Sequence, residues 1–503
     1  MDARRRNISF LLDHNLEAGR GDHAAILCGQ ERVTYAQLLA LAWRAGRALL
    51  EAGIRREERV LLLLDDTPAF PAVFLGANRI GAVPVPVNPL YKISDFRYFL
   101  EDSYARLVVA DEWHREKATE AADGLGVGVV SPEEFLAADD GSGSELSPAS
   151  THEDDMAFWL YSSGSTGRPK GVVHRQSDVA ATCEAYGASV LRLTPDDVTY
   201  STTKLYHAYG LGNGISFPYW AGATTVLNPA RPSPESIFSA IEEHRPTAFF
   251  SVPTLYNVLV NSDGAAGRDL SSVRICLSAA EPLPPEVFRR WQETYGLPIL
   301  DGIGSTEMLH IYCSNTAEAH KPGTSGRPVP GYALQLRSEA GAVLGPGEVG
   351  ELYVKGDSAL VGYWHHRHRS RNTLMGEWFA TGDRYRCDEE GFFSYEGRAD
   401  DMIKVGGLWV SPIEIENVLV EHAAVLEAAV VGIDVGGFTR TRAHVVCRPG
   451  AGAGAGAALV AELQELCKDR LQRYQYPHIV EFEEDLPKTM TGKIQRYVLR
   501  GRP

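Results

Sequence analysis

The sequence lacks a hydrophobic run long enough to span a membrane. Its first apolar stretch, residues 7–19, follows three arginines, is too short for a signal peptide and is broken by Asp13. These features predict a chain without a membrane segment, located in the cytoplasm.

Closely spaced cysteines are also missing. The cysteines form no CxxC pair and do not have the cysteine and histidine spacing of zinc ligands. They are Cys28, Cys183, Cys276, Cys313, Cys387, Cys447 and Cys467. This distribution favours unpaired thiols in a reducing compartment over disulfides or a zinc site.

Positive charge is scarce. Lysine and arginine number 49 against 65 aspartates and glutamates, giving a formal net charge of -16. This balance disfavours a general affinity for nucleic acid or anionic membranes, so any anion-binding site must be built locally. The 44% hydrophobic content is typical of a globular protein, and 503 residues exceed what one core supports, which predicts at least two domains.

The first part of the chain alternates strand-like apolar runs with helical patterns. Thr34 is a candidate helix cap before leucines and alanines at helical spacing, and the apolar run from Arg59 has the length of a buried strand. Between Gly345 and Tyr395 the pattern changes to short strands and turns. We predict an α/β protein whose N-terminal domain, residues 1–399, contains layered α/β subdomains and a β-rich subdomain. A small mobile α/β domain would follow at residues 400–503.

The stretch YSSGSTGRPKGVVH, residues 161–174, has no apolar face of the kind that a helix or strand buries. Backbone N–H groups of a glycine-rich turn surround phosphate oxygens well, and Lys170 adds a cation. The spacing is not that of a Walker A loop, because Gly171 follows the lysine. A solvated linker is the alternative, but a linker would not lead directly into the strand-like VVH. The expected anion-binding residues are Ser162, Ser163, Gly164, Ser165, Thr166, Gly167 and Lys170.

This loop resembles the phosphate loop of the adenylate-forming superfamily, which includes acyl-CoA synthetases, adenylation domains of peptide synthetases and beetle luciferases. Five later segments resemble further motifs of that family in their usual order: YHAYGLGNG at 206–214, GIGSTEM at 302–308, TGD at 381–383, GRADDMIKVGG at 397–407 and PKTMTGKIQR at 487–496. KLYHAYGLGNG and DGIGSTEMLHIYCSN are most similar to benzoate-CoA ligases and other aryl-CoA ligases. The resemblance implies that ATP first adenylates an aromatic carboxylic acid.

The resemblance also implies a nucleotide site. Glu307 and Thr166 would hold Mg²⁺ beside the ATP phosphates, because Mg²⁺ prefers carboxylate and phosphate oxygens. Asp383 would bind the ribose hydroxyls, and Arg398 would lie near the ribose and phosphate. Taken alone, these side chains are an exposed glutamate, a turn aspartate and a surface arginine. The other implied nucleotide contacts are Thr306 and, around the adenine, Ala279, Ala280, Glu281, Asp301, Gly302 and Ile303.

Lys493 is the residue that the resemblance places at the reacting carboxylate and the α-phosphate. A carboxylic acid is already ionised at pH 7, so the first step needs charge stabilisation rather than a general base. Alone, a lysine in a polar loop is a solvated charge. Asp400 matches the hinge about which similar enzymes rotate the small domain after adenylation, and a turn-capping aspartate is the alternative.

The acyl pocket implied by the resemblance has aromatic and aliphatic walls that suit a flat ring. Its expected residues are Ala208, Tyr209, Gly210, Ile303 and His310. A lone histidine is also a common structural residue, and both interpretations of His310 stand. His207 occupies a position where benzoate-CoA ligases commonly have phenylalanine, and we expect it to contact the nucleotide in a catalytic role.

The acyl acceptor is expected to be coenzyme A, because no carrier-protein segment follows Lys493 in the sequence. The expected cofactors are therefore ATP, Mg²⁺ and coenzyme A. A stand-alone enzyme that loads an aryl acid onto a discrete carrier protein is the main alternative. A luciferase-like oxygenase and a degenerate nucleotide-binding protein are further alternatives, and both a monomer and a homodimer are compatible with the sequence.

Overall fold

The structure is a computed structural model that describes residues 6–136, 145–162, 168–398, 401–405, 408–435, 438–448, 450, 456–472, 474–488 and 494–502. The strands are, in chain order, β1 Ala24–Cys28, β2 Glu31–Thr34, β3 Arg59–Leu63, β4 Val83–Pro86, β5 Leu107–Ala110, β6 Gly128–Val130, β7 Met156–Ser162, β8 Lys170–Arg175, β9 Val198–Ser201, β10 Thr224–Val226, β11 Ala248–Ser251, β12 Ile275–Ser278, β13 Ile299–Gly304, β14 Ile311–Ser314, β15 Arg327–Pro328, β16 Ala333–Arg337, β17 Val349–Lys355, β18 Gly362–Tyr363, β19 Leu374–Met375, β20 Trp378–Cys387, β21 Phe393–Arg398, β22 Ile403–Val405, β23 Leu408–Val410, β24 Val425–Val435, β25 Phe438–Cys447 and β26 Ile479–Glu483.

Helices connect most of these strands. The α-helices are α1 Phe10–Glu17, α2 Tyr35–Glu51, α3 Ala69–Arg79, α4 Ile93–Ser103, α5 Glu112–Ala122, α6 Pro132–Leu136, α7 Gln176–Thr182, α8 Ala208–Leu211, α9 Phe217–Ala221, α10 Pro234–His244, α11 Pro253–Val260, α12 Pro285–Tyr295, α13 Arg367–Thr373, α14 Pro412–Glu421, α15 Ala457–Arg470 and α16 Arg496–Arg500. Short 3-10 turns cover Ala265–Gly267 and Thr306–Met308, and π-helical segments cover Cys183–Leu191 and Gly212–Ser216. Among the described residues, no helix combines the length and the apolar character that crossing a membrane requires.

A nine-stranded sheet organises the large part of the molecule. Its strand order is β15-β14-β13-β12-β11-β9-β10-β1-β2. The six strands from β13 to β1 pair in parallel, and the strands at both edges pair antiparallel. The carboxyl ends of the parallel strands therefore lie along one edge, which is where ligands bind in open α/β sheets.

A second, four-stranded sheet is parallel throughout, with the order β4-β3-β5-β6. Helix α2 begins at Thr34, whose hydroxyl accepts a hydrogen bond from the Gln37 backbone N–H at 3.2 Å, while the Gln37 side chain accepts one from the Thr34 backbone at 2.8 Å. This capping box confirms the predicted helix start. The buried face of α2, which includes Leu38 and Ala42, belongs to a core that also contains Val60 of β3.

Antiparallel strands dominate between residues 330 and 400, as the short-strand pattern predicts. Strands β16, β17, β20 and β19 are neighbours in that order, and β21 pairs with β20. A separate three-stranded sheet, β18-β8-β7, places the β7–β8 hairpin next to Tyr363 of β18. Through this sheet, residues near 363 come close to residues near 170.

The last hundred residues build their own small α/β unit. Strands β24, β25 and β26 form one sheet, β22 and β23 form a hairpin, and α14 packs its buried Ile415 and Leu419 against β24 residues such as Val430. Together with the large part before residue 400, this unit confirms the predicted α/β fold of a large N-terminal and a small C-terminal domain. Asp400 lies outside the described residues, so a boundary at that residue stays a prediction.

Candidate active site

Several candidate site residues lie at the carboxyl edge of the nine-stranded sheet. The segment with His207 follows β9, the Ala279–Glu281 segment follows β12, and residues 302–307 include the end of β13 and the turn after it. Parallel pairing of β12 with β13 brings Ser278 opposite Asp301. The order of the strands thus assembles segments that are about a hundred residues apart in the sequence.

The predicted phosphate loop lies between β7 and β8. Ser162 at the end of β7 pairs with Lys170 at the start of β8, so the structure describes both ends of the loop. Its central residues lie outside the described residues; they are Ser163, Gly164, Ser165, Thr166 and Gly167. Their phosphate-binding role, and that of Thr166 toward Mg²⁺, stay predictions.

Tyr363 connects the two ends of the site. Its hydroxyl donates a hydrogen bond to Glu307 Oε1 at 3.0 Å, and Ser162 Oγ donates to the same oxygen at 3.4 Å. The Lys170 ammonium lies 5.7 Å from the centroid of the Tyr363 ring, within the range of a cation–π contact. The structure therefore brings together three residues that the sequence assigned to one site, namely Ser162, Lys170 and Glu307.

The environment of Lys170 disfavours its protonated form. The residue is buried, and its burial, followed by the positive charge of Arg369, lowers the pKa of Lys170 to about 8, against an opposing effect of Glu307. The ammonium has no carboxylate within ion-pair distance among the described residues. A lysine so placed would be stabilised by a bound anion.

The main chain next to Glu307 is held by a buried histidine. His174 Nε2 lies 2.7 Å from the Thr306 carbonyl, and His174 Nδ1 lies 2.9 Å from Asp178 Oδ2. Both side chains are fully buried. The Ser305 hydroxyl accepts a hydrogen bond from the Met308 backbone at 3.2 Å and caps the short turn. The position of Glu307 is thus fixed by contacts on both sides of it.

Asp383 and Arg398 face each other on neighbouring strands. They are a direct pair in the register of β20 and β21, and Arg398 Nη1 lies 3.3 Å from Asp383 Oδ1. Both carry partial solvent exposure. Burial chiefly raises the pKa of Tyr312, and the charges of Asp383, Glu307 and Arg398 also act on it, so all three lie near this buried ring.

The residues predicted around the adenine lie in two segments, one directly after β12 and one within β13. Ala280 has φ +77°, a left-handed conformation that is unusual for a side chain with a Cβ and that turns the chain sharply after β12. Glu281 accepts hydrogen bonds from the hydroxyl of Thr254 at 2.6 Å and from its backbone N–H at 3.3 Å. Burial raises the pKa of Asp301 well above the usual range of an aspartate. Ala279 and Gly302 are buried, and Ile303 is half-buried.

His207 precedes helix α8 and is half-buried against Tyr206, whose ring centroid is 4.6 Å away. Burial lowers the pKa of His207 to about 4. The imidazole is therefore neutral at pH 7, and it is suited to donate or accept a hydrogen bond rather than to supply positive charge.

His310 lies at the centre of an aromatic cluster. The rings of Tyr186, Tyr209 and Phe217 have centroids 5.2, 5.3 and 4.6 Å from it. Gly212 permits this packing, because a Cβ at that position would lie 2.3 Å from His310 Cδ2. Ala208, Tyr209 and Gly210 are buried in α8, and the Tyr209 ring packs against His310, while Ile303 of β13 is half-buried.

The protonation of His310 follows from its contacts. Burial lowers its pKa to about 3, so the ring is neutral at pH 7. Nε2 faces two acceptors, Asn213 Oδ1 at 3.2 Å and the Tyr209 carbonyl at 3.4 Å, which assigns the single proton to Nε2. Nδ1 is a buried acceptor without a hydrogen-bond partner among the described residues.

Besides the five central residues of the phosphate loop, two further predicted residues lie outside the described part of the chain. These are Lys493 and Asp400, and their assigned roles stay predictions. Conversely, sequence reasoning missed Tyr363, Arg369 and the His174–Asp178 pair. His174 is the last residue of the YSSGSTGRPKGVVH motif, but nothing in the local sequence around His174 or Tyr363 indicates their partners.

Comparison with known proteins extends over nearly the whole chain. Residues 12–364 match the family described as AMP-binding enzyme, and residues 414–493 match the AMP-binding enzyme C-terminal domain. A benzoate-CoA ligase of Thauera aromatica is 46% identical over 505 residues, which cover 98% of this chain and 95% of that protein.

Solved structures give the same pattern. A benzoate CoA ligase from Burkholderia xenovorans has a TM-score of 0.92 at 44% identity, covering 98% of this chain and 99% of that chain. An anthranilate CoA ligase, solved in complex with anthranoyl-AMP, has a TM-score of 0.93 at 35% identity, with 98% and 96% covered.

Proposed function

The chain belongs to the AMP-binding enzyme family, and from this membership we propose that it is an ATP-dependent aryl-acid:CoA ligase. The reaction activates a benzoate-like carboxylic acid to an acyl-adenylate with release of pyrophosphate. The acyl group then passes to coenzyme A, and AMP is released. The similarity to benzoate-CoA ligases along the full chain supports both the reaction and the aromatic substrate.

The observation that carries the proposal is the meeting of Lys170 and Glu307 around Tyr363. These residues come from the loop motif and from the GSTE motif, which are more than a hundred residues apart, and they meet at the edge where α/β sheets bind ligands. A cation and a carboxylate so arranged suit a nucleotide triphosphate with its divalent metal. The nearby Asp383–Arg398 pair provides polar groups for the ribose.

The first chemical step needs electrostatic help rather than acid–base catalysis. The attacking carboxylate is ionised at pH 7. As its oxygen approaches the α-phosphorus, negative charge accumulates on the phosphates. Positioned cations lower the activation barrier of this step; in comparable sites, removing one charge-stabilising donor raises the barrier by ~3 to 4 kcal/mol. We assign this work to Lys170 near the departing phosphates and to Lys493 at the α-phosphate.

Glu307 fits the requirements of a Mg²⁺ ligand. Its Oε1 atom accepts hydrogen bonds from Tyr363 and Ser162. Carboxylates that bind metals are commonly held in this way by hydrogen bonds from neighbouring groups. Mg²⁺ takes hard oxygen ligands and binds through one or two carboxylates plus substrate phosphates. Bound there, the metal would neutralise phosphate charge, and Thr166 is its second proposed protein contact.

The aryl group is proposed to lie against Ala208, Tyr209, Gly210, Ile303 and His310. The aromatic rings packed around His310 form a stiff wall, because each ring fixes its neighbour. A neutral histidine in this wall imposes no charge on an uncharged ring. His207, neutral at pH 7 and placed just before α8, is proposed to contact the nucleotide next to the reacting carboxylate.

In the second step the thiol of coenzyme A attacks the acyl-adenylate, whose AMP is a good leaving group. We propose that residues 1–399 and 400–503 act as two domains that rearrange about Asp400 between the steps, with the small domain mobile. A cytoplasmic location and a monomeric or homodimeric state belong to the same proposal.

The test is pyrophosphate release by the full-length protein over a panel of benzoate, hydroxybenzoates, aminobenzoates, heteroaryl acids and medium-chain aliphatic acids. We expect aromatic acids to give release without coenzyme A and turnover with it. A response confined to aliphatic acids would contradict the pocket assignment. Thioester yield with a carrier protein in place of coenzyme A, and oxygen uptake during turnover, separate the alternatives that load carriers or use oxygen.

A further inference from the structure

A cluster of basic side chains next to Lys170 has no counterpart in the motifs described so far. Helix α13 has the sequence RHRSRNT, and none of its residues is buried. With His365 and His366 before it, this segment is strongly basic in a chain whose formal net charge is -16. The core does not require such a composition, because the helix contributes no side chain to it.

Arg369 is the member of this cluster that reaches the site. Its guanidinium carbon lies 5.4 Å from the centroid of the Tyr363 ring, which also carries the Lys170 ammonium at 5.7 Å. The hydroxyl of the same ring binds Glu307. Tyr363 thus brings two cations and one carboxylate together.

The charges around Tyr363 do not balance. Among the described residues, neither Arg369 nor Lys170 has a carboxylate within ion-pair distance, and the positive charge of Arg369 disfavours the protonated form of Lys170. Two like charges on one ring repel, and they remain together at low cost only when an anion lies between them. The anion must have several acceptor oxygens to serve both a guanidinium and an ammonium.

We propose that Arg369 is a further nucleotide-binding residue, which acts with Lys170 to bind the terminal phosphates that leave as pyrophosphate. This inference rests on the proposed function, because it assigns those phosphates to the site around Tyr363. Arg369 binds phosphate oxygens through its planar donor pair, while the Tyr363 ring supports the guanidinium from below. AMP has no terminal phosphates, so it makes no contact with Arg369.

The test measures equilibrium binding by calorimetry to the full-length protein, with inorganic pyrophosphate, AMP and an ATP analogue whose α,β-bridge is a methylene group. Arg369→Gln should weaken the binding of pyrophosphate and of the ATP analogue about tenfold or more, since charge-assisted hydrogen bonds are lost. AMP affinity should stay unchanged. Arg371→Gln, two residues along the same exposed helix, is the matched control and should behave as wild type.

The outcomes separate this inference from the proposed function. Equal effects of Arg369→Gln and Arg371→Gln, or an equal loss of AMP affinity, would overturn the role of Arg369 while leaving the ligase activity of the wild type intact. A wild type that binds none of the three probes would overturn both. Partial recovery in Arg369→Lys, which keeps the charge but not the donor pair, would support direct phosphate contact.

Discussion

At the scale of single residues, Glu307 is held by two hydroxyl donors, those of Tyr363 and Ser162. Glu307→Gln keeps the shape and an acceptor oxygen but removes the charge that would bind Mg²⁺. We expect acid-dependent ATP–pyrophosphate exchange to fall about 10²- to 10³-fold, as for loss of other groups that stabilise transition-state charge. The apparent Mg²⁺ requirement should rise with it.

Glu377→Gln is the control for this change, because Glu377 is an exposed carboxylate paired with Lys355 at 2.7 Å and has no predicted role in the site. If Glu307→Gln and the control have the same exchange rate and the same Mg²⁺ dependence, Glu307 does not bind the metal.

His310 makes stability depend on pH. Its pKa is about 3 in the folded protein against about 6.5 in an unfolded chain, so the unfolded state takes up a proton first as the pH falls. The contribution of neutral His310 to the free energy of unfolding is fully present above pH 6.5 and is lost as the pH falls towards 3. Between pH 7.5 and 5 the wild type should lose about 2 kcal/mol more free energy of unfolding than His310→Gln.

Urea unfolding at the two pH values measures this difference, and groups that titrate equally in both proteins cancel. The glutamine amide can still donate to Asn213 Oδ1 and to the Tyr209 carbonyl, so the variant keeps a hydrogen-bond donor at this position. His365→Gln removes an exposed histidine and is the control for the loss of an imidazole. A pH dependence in His310→Gln identical to the wild type would mean that the imidazole has the same pKa in the folded and the unfolded protein.

The sequence predicted some of these residues better than others. Lys170 and Glu307 were found because each lies in a short motif that resembles a known pattern. Tyr363 and Arg369 were not found, since their roles arise from the β18–β8 pairing, which no local pattern indicates. For His310 the sequence left two interpretations open, because the aromatic rings that surround it come from three other segments.

At the scale of elements, the ends of helices and strands carry most of the predicted features. Thr34 begins α2 because its hydroxyl and the Gln37 amide form a capping box, a local signal that the sequence shows. The parallel edge that gathers the site segments could be expected only in outline. Strand order depends on which apolar faces pack together, and that is decided by contacts far apart in the chain.

The Glu416–Arg496 pair joins two elements of the C-terminal unit. Arg496 Nη2 lies 2.7 and 2.9 Å from the two oxygens of Glu416, and the Val430 backbone N–H donates to Oε1 at 2.7 Å. Both side chains are almost fully removed from solvent. Arg496→Gln therefore leaves a buried carboxylate without its cation and should lower the free energy of unfolding of this unit by about 3 to 5 kcal/mol.

The double variant Glu416→Gln with Arg496→Gln tests the reason for the loss. It removes both charges, so it should be more stable than Arg496→Gln alone in urea unfolding followed by circular dichroism. Equal stability of the single and double variants would mean that the carboxylate is not destabilised by the loss of Arg496.

Because Arg496 follows Lys493 by three residues, Arg496→Gln should also slow adenylation.

At the scale of the whole molecule, direct contacts join the large and small parts. Asn257 Nδ2 of α11 donates to the Leu426 carbonyl at 3.1 Å, and the Arg448 guanidinium donates to Asn261 Oδ1. Arg290 donates to the same amide oxygen at 3.2 Å, so two cations share one acceptor. Burial, followed by the nearby Arg290, lowers the pKa of Arg448. These contacts stabilise one arrangement of the two parts.

A mutation shifts an equilibrium between two states only when it affects their free energies differently. If the large and small parts rearrange between the two steps, a change at the Arg448–Asn261 contact must therefore affect the two half-reactions unequally. Arg448→Gln removes one donor from Asn261 and should change the rate of one half-reaction several-fold relative to the other. ATP–pyrophosphate exchange measures adenylation, and thioester formation from supplied acyl-adenylate measures the transfer to coenzyme A.

Arg470→Gln, which changes an exposed residue of α15 within the small unit, is the control and should leave the ratio of the two rates unchanged. Equal changes of both rates in Arg448→Gln would contradict a rearrangement at this contact, since a fixed interface has no second state to favour.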